Sequence, residues 1–121
     1  MNSCNPIAWS KENILNWSDY QADFNPASSE DAHSTIKYRY TWTVKSDNVN
    51  GQIQFVIENI QLIAEFFPLL SWVRTAQANP ILLKHEQGHF DLAELLRPKI
   101  TENLQFVFDE KNFSVRGQTQ E

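Results

Sequence analysis

The chain has one cysteine, Cys4, so it can form no internal disulfide and no thiolate zinc cluster; any metal must be held by His, Asp or Glu. It has no apolar run near the roughly 20 residues that cross a bilayer. Its N-terminus also lacks the apolar core of a signal peptide. Basic residues are scattered, and the net charge is −5. Nucleic acid and anionic membranes need a concentrated basic footprint, so the charge pattern argues against both as partners. Internal repeats, low-complexity tracts and linkers are absent too. The 121 residues are therefore expected to form a single domain, large enough to bury a core, with loose ends at 1–13 and 112–121.

What is present is aromatic: four Trp, eight Phe and three Tyr, suited to a ring-rich core or groove. Residues 1–34 read as irregular, with turn signals at Asn5-Pro6, Asn25-Pro26 and Ser28–Asp31. Within them, Ile14–Trp17 either pairs at a sheet edge or lies across the core. From Thr35 to Lys45, Ile36, Tyr38, Tyr40, Trp42 and Val44 alternate with polar residues, the period-two pattern of a half-buried strand. Asn50-Gly51 supplies a hairpin turn, and Gln52–Ile57 alternates again as the return strand. Ile60–Phe67, ended by Pro68, reads as a third strand and a possible substrate-binding edge.

Asn79-Pro80 is a helix start, with Asn as N-cap and Pro in the first helical position. The phase of that helix places Ile81, His85, Gly88, His89, Leu92 and Leu96 on one stripe, expected to face protein. Lys84, Gln87, Asp91 and Glu94 fall on the opposite, polar side. Arg97-Pro98 predicts a break, and Ile100, Leu104, Val107 and Phe108 predict a separate C-terminal helix to about Asp109.

The helix carries His85-Glu86-Gln87-Gly88-His89, an H-E-x-x-H pattern. Residues four apart share a helix face about one turn from each other, so both imidazoles can reach one tetrahedral metal ion. Glu86 can then act as base on a metal-bound water. A plainer reading is a hydrogen-bonded histidine pair in the core, but each ring would then need its own partner. Gly88 costs about 1 kcal/mol relative to alanine inside a helix, so its place on the stripe implies tight packing or the close approach of a substrate.

The third metal ligand is less evident. Asp91 and Glu94 point away by helical phase. Leu92 and Leu95 stand where the extended pattern would have its glycine and third histidine. His33 remains a candidate because imidazole suits zinc; Asp109 or Glu110 would serve only if the chain doubled back at Pro98.

Four runs carry a family resemblance: Trp17-Ser18-Asp19-Tyr20, Ala32-His33-Ser34, Ser71-Trp72-Val73 and Leu82–Asp91, the last containing H-E-Q-G-H-F-D. With them the chain resembles a bacterial family of predicted secreted zinc-dependent proteases, a domain family otherwise without defined function, over roughly residues 14–110. The resemblance implies an α+β fold with a zincin-like helix on a small antiparallel sheet. It also implies His85 and His89 as zinc ligands, Glu86 as base, and export to the periplasm or exterior. With no signal peptide in the chain, a cytoplasmic location and a removed export signal both stay open. The chain departs from the family after Phe108-Asp109, where Asn112 and Ser114 stand at the spacings of the family's Thr and His. Two functions are thus expected: a zinc metallopeptidase acting on peptide or protein substrate, or a non-catalytic binding or envelope-associated module with a vestigial or structural metal site.

Overall fold

The computed structural model describes residues 5–111, with side chains through Asp109; of the ends expected to be loose, 1–13 and 112–121, residues 1–4 and 112–121 lie outside the described residues. The fold is α+β. Its strands are β1 (Ile7–Ala8), β2 (Ala32–His33), β3 (Ile36–Val49), β4 (Gln52–Phe66) and β5 (Trp72–Val73), followed by one helix, α1 (Pro80–Lys111). Short 3-10 turns at Trp17–Asp19, Pro68–Leu70 and Thr75–Gln77 join them. One sheet has the order β1-β4-β3 and a second pairs β2 with β5. By contacts the chain divides into two compact units, residues 1–39 with 63–96 and residues 40–62 with 97–121. Among the described residues, no helix is long and apolar enough to cross a membrane.

The first unit holds the main core. Leu15, Tyr20, Ala64, Phe66 and Phe90 are buried together, flanked by Ile7, Trp9, Trp17, Ile36, Tyr38, Val73, Leu83 and Ala93. Three ring contacts run through it: Trp17 to Tyr20 at 4.9 Å, Tyr20 to Phe66 at 5.0 Å and Phe66 to Phe90 at 6.1 Å between centroids. The first two are edge-on, the geometry that ring quadrupoles favour. Of the two expectations for Ile14–Trp17, crossing the core is the one realised, with Leu15 only 1% exposed. The sheet edge is instead taken by residues expected to be loose. Ile7 and Ala8 pair with Phe66 and Glu65, and the Trp9 amide donates to the Ala64 carbonyl at 2.9 Å.

The β3–β4 hairpin turns on Asn50 and Gly51, at φ 55° and 81°. Positive φ at both central residues matches the right-handed twist of the flanking strands, which is why Asn-Gly is favoured there. Beyond the turn the structure corrects the strand count. Ile60–Phe67 is not a third strand, because β4 runs unbroken from Gln52 to Phe66. Asn59, at φ 57°, absorbs a local deviation inside it. The Glu58-Asn59 pair reads as a boundary in sequence, but β4 continues through it. Nor is this stretch a free edge at its C-terminal end, since β4 lies between β1 and β3.

In the second unit, the residues expected to be half-buried are largely open: Tyr40, Trp42 and Val44 are each just over half exposed. Period-two alternation groups side chains on a face but does not supply anything to cover it. Here the cover is partial. Tyr40, Trp42, Ile60, Leu104 and Phe108 line an apolar recess of about 230 Å³.

Helix α1 is continuous over 32 residues with Pro98 inside it, so no separate C-terminal helix exists. Proline removes one i→i−4 bond, while the Thr101 hydroxyl donates to the Arg97 carbonyl at 2.8 Å across the same turn. At the other end, Asn79 caps as expected: its Oδ1 accepts the Leu82 amide at 2.8 Å. Phe90 is fully buried at the centre of this packing. Phe90→Ala should therefore destabilise the fold by about 3–5 kcal/mol, measured by urea denaturation; a loss below about 1 kcal/mol would show that the ring is not the helix's anchor.

Candidate metal centre

Cap and helix together fix His85 and His89 one turn apart. Their ring centroids are 4.7 Å apart, the planes nearly perpendicular at 85°, and the two Nε2 atoms 3.2 Å apart. Both side chains are exposed, whereas Glu86 is only 5% exposed. That overturns the expected helix phase. The inward stripe is the buried Glu86 and Phe90 with the partly buried Leu83 and Ala93, about one residue's rotation from the expected one; Ile81, Leu92 and Leu96 face outward. Both stripes carry apolar side chains, and the partners available in the core decide between them. Phe90 finds Phe66 and the buried glutamate finds a hydroxyl.

That hydroxyl belongs to Ser34, whose Oγ donates to Glu86 Oε1 at 2.6 Å. Ser34 Oγ in turn lies 2.7 Å from the Tyr20 hydroxyl. Burial pushes the Tyr20 pKa well above the usual tyrosine range; the Ser34 bond lowers it and the nearby Glu86 and Asp19 charges raise it. Sequence reasoning gave neither Ser34 nor Tyr20 a role, although both stand in the runs that carry the family resemblance.

His85, Glu86 and His89 each bring one donor atom within 4.8 Å of the others, a group that could hold a metal ion. The donors fit such an ion. Two nitrogens on a tetrahedral zinc, each at 2.0–2.1 Å, are about 3.3 Å apart, close to the 3.2 Å between these two Nε2 atoms. The other candidates stand outside this group. His33 Nδ1 is 3.4 Å from Glu30 Oε1, and its ring stacks on Trp72 at 6.0 Å. It nevertheless lines a cavity of about 240 Å³ with Glu30, Ser34, Glu86 and His89. Asp109 instead accepts from Gln105 at 3.0 Å, and the unbroken helix removes the reversal it would need. The Glu110 side chain lies outside those described. A second, larger recess of about 600 Å³ adjoins His85, lined by Asp31, Gln77, Asn79, Pro80, Ile81 and Leu82.

The rest of the motif has structural duties. Gln87 was expected on the polar side, but it is half-buried and its Oε1 accepts the Leu15 amide at 2.8 Å. Asp91 Oδ1 accepts from both Trp9 Nε1, at 2.9 Å, and Gln87 Nε2, at 2.8 Å. Together they bind the segment 9–15 to the helix. Strands β2 and β5 pair antiparallel, Ala32 with Val73 and His33 with Trp72, which holds Ser34 beside Glu86. The loop before β2 is gathered by Arg74, which donates to the carbonyls of Glu30, Asn25 and Ser28.

Comparison with protein-family models, curated proteins and solved structures gives no match.

Gly88 is not tightly packed, because a Cβ there would meet nothing within 4 Å. Gly88→Ala should therefore stabilise the helix by up to about 1 kcal/mol, read from urea denaturation; destabilisation would reveal a neighbour at that face. Tyr20 gives a pH prediction. Its folded pKa is raised, so its contribution is intact below the unfolded value near pH 10 and falls as pH rises beyond it. Denaturation at pH 9–11 should show a decline that Tyr20→Phe lessens.

Proposed function

We propose that the chain is a small zincin-like zinc metallopeptidase that hydrolyses peptide bonds outside the cytoplasm. The observation that carries the reading is the pair of Nε2 atoms 3.2 Å apart on an exposed helix face, with a buried carboxylate beside them. The H-E-x-x-H spacing and the resemblance to secreted zinc-dependent proteases support it, and the resemblance alone supports export.

His85 and His89 would hold the zinc through Nε2. When bound, zinc supplies a Lewis acid that polarises a carbonyl and eases deprotonation of water. Glu86 performs the proton work. Its carboxylate takes a proton from the attacking water and passes it to the departing amine nitrogen. Burial limits competition from bulk water at that carboxylate, and Ser34 fixes one of its oxygens. The recess beside His85 and the cavity beside His89 each leave room for part of a peptide.

One observation favours a second reading, a non-catalytic binding or envelope-associated module with a structural or vestigial metal site. Among the described residues, the donor group ends at Glu86 and contains no third ligand independent of the base.

Elemental analysis and peptide-library cleavage separate these readings. Wild type should carry zinc, His85→Ala and His89→Ala should lose it, and Glu86→Gln should keep it while hydrolysis falls at least about 100-fold. Full hydrolysis by Glu86→Gln overturns the mechanism. Stoichiometric zinc without cleavage of any peptide favours the binding module.

A further inference from the structure

We infer that Ser34, backed by Tyr20, is a positioning residue that keeps the Glu86 carboxylate from becoming a metal ligand, so that it stays available for proton transfer. The inference rests on the metal-binding part of the reading above.

The direction of the hydrogen bonds follows from chemistry. An ionised carboxylate only accepts, so the single Ser34 proton goes to Glu86 Oε1. Ser34 can then only accept from its other neighbour, which makes Tyr20 the donor in the 2.7 Å contact. The chain runs one way, from phenol to serine to carboxylate. Both ends are fixed. Tyr20 sits between the Trp17 and Phe66 rings, and its raised pKa keeps the phenol protonated as a donor. Directly after Ser34, the Thr35 amide donates to Ser71 Oγ at 2.9 Å, and its carbonyl accepts the Phe67 amide at 2.9 Å.

Something has to restrain Glu86. Its carboxylate is within 4.8 Å of both histidine donors, and carboxylate oxygen is an ordinary zinc ligand. Among the described residues, the donor group that could hold an ion consists of the two histidines and Glu86 itself, with His33 only lining the adjoining cavity, so an ion held there would draw on Glu86. A ligating Glu86 would share its negative charge with the ion, and the carboxylate would become a weaker acceptor for the proton it must receive. In this buried setting the Ser34 hydroxyl is the side-chain hydrogen bond that opposes such recruitment. The effect is the orienting one that outer-shell partners have on groups around a metal.

Cobalt(II) titration of the full chain, followed by visible absorption, tests the inference. Ser34→Ala should bind cobalt more tightly than wild type, with a changed visible spectrum, as the freed carboxylate joins the site; loosened binding is what loss of an ordinary outer-shell partner would give. The gain should vanish in the Ser34→Ala/Glu86→Gln double variant, and Ser34→Thr, which keeps the hydroxyl, should match wild type. Peptide hydrolysis by Ser34→Ala should lose kcat with KM little changed. If Ser34→Ala fails to fold, Tyr20→Phe, which cuts only the outer bond, should shift affinity the same way by a smaller factor. Unchanged cobalt affinity and spectrum in the folded variant, or a gain that persists in the double variant, overturns the inference. Cobalt binding by wild type without any hydrolysis overturns the peptidase reading alone and leaves the spectra to decide this one. A wild type that binds no cobalt overturns both.

Discussion

The rotation of helix α1 about its own axis is the constraint on which the site depends. Phe90 fills the core against Phe66, and once that ring is seated every other position on the helix is fixed at about 100° per residue. Glu86, one turn earlier on the same face, must go inward. His85 and His89, one position before each of these two, must go outward. A motif that looks like five catalytic letters is thus divided by a packing decision. Glu86 is held in a buried setting by a hydroxyl, and the two histidine rings face outward. Burying a carboxylate costs free energy unless it is hydrogen-bonded, and Ser34 offsets that cost here.

The resemblance runs are separated in sequence but not in space. The Trp17–Asp19 turn, β2, β5 and the start of α1 all belong to the first unit. Tyr20 and Ser34 form one hydrogen-bonded line into Glu86, while Ser71 ties Thr35 through its hydroxyl and bonds back to the Phe67 carbonyl. In H-E-Q-G-H-F-D, therefore, Gln87, Phe90 and Asp91 build the platform that aims the other side chains.

Local chemistry made part of this legible. Asn79 at a helix start and Asn50-Gly51 in a hairpin have reasons contained within a few residues, and both stand as read. So does the nearness of His85 to His89, a consequence of helix pitch. What depended on distant partners was not legible. Ile81, Leu92 and Leu96 compete with Leu83, Phe90 and Ala93 for the core on nearly equal terms, and only Phe66 and Ser34, far away in sequence, settle the matter. Pro98 reads as a break because its local cost is real, yet the helix continues through it. Tyr40 and Trp42 line one recess together, but alternation carries no information about what lies over a face. Ser34 gave no signal by itself, since a serine before a strand is unremarkable until its hydrogen bond is seen.

The bonds from Trp9 to Asp91 and from Leu15 to Gln87 join residues 82 and 72 positions apart. Closing loops of that length costs entropy that only late, long-range contacts repay. During synthesis, then, the segment 9–15 waits without its acceptors until the motif itself has been made and has cleared the ribosome. The order of manufacture therefore sets the order of docking: the segment 9–15 is tied down only after the helix that carries its acceptors exists.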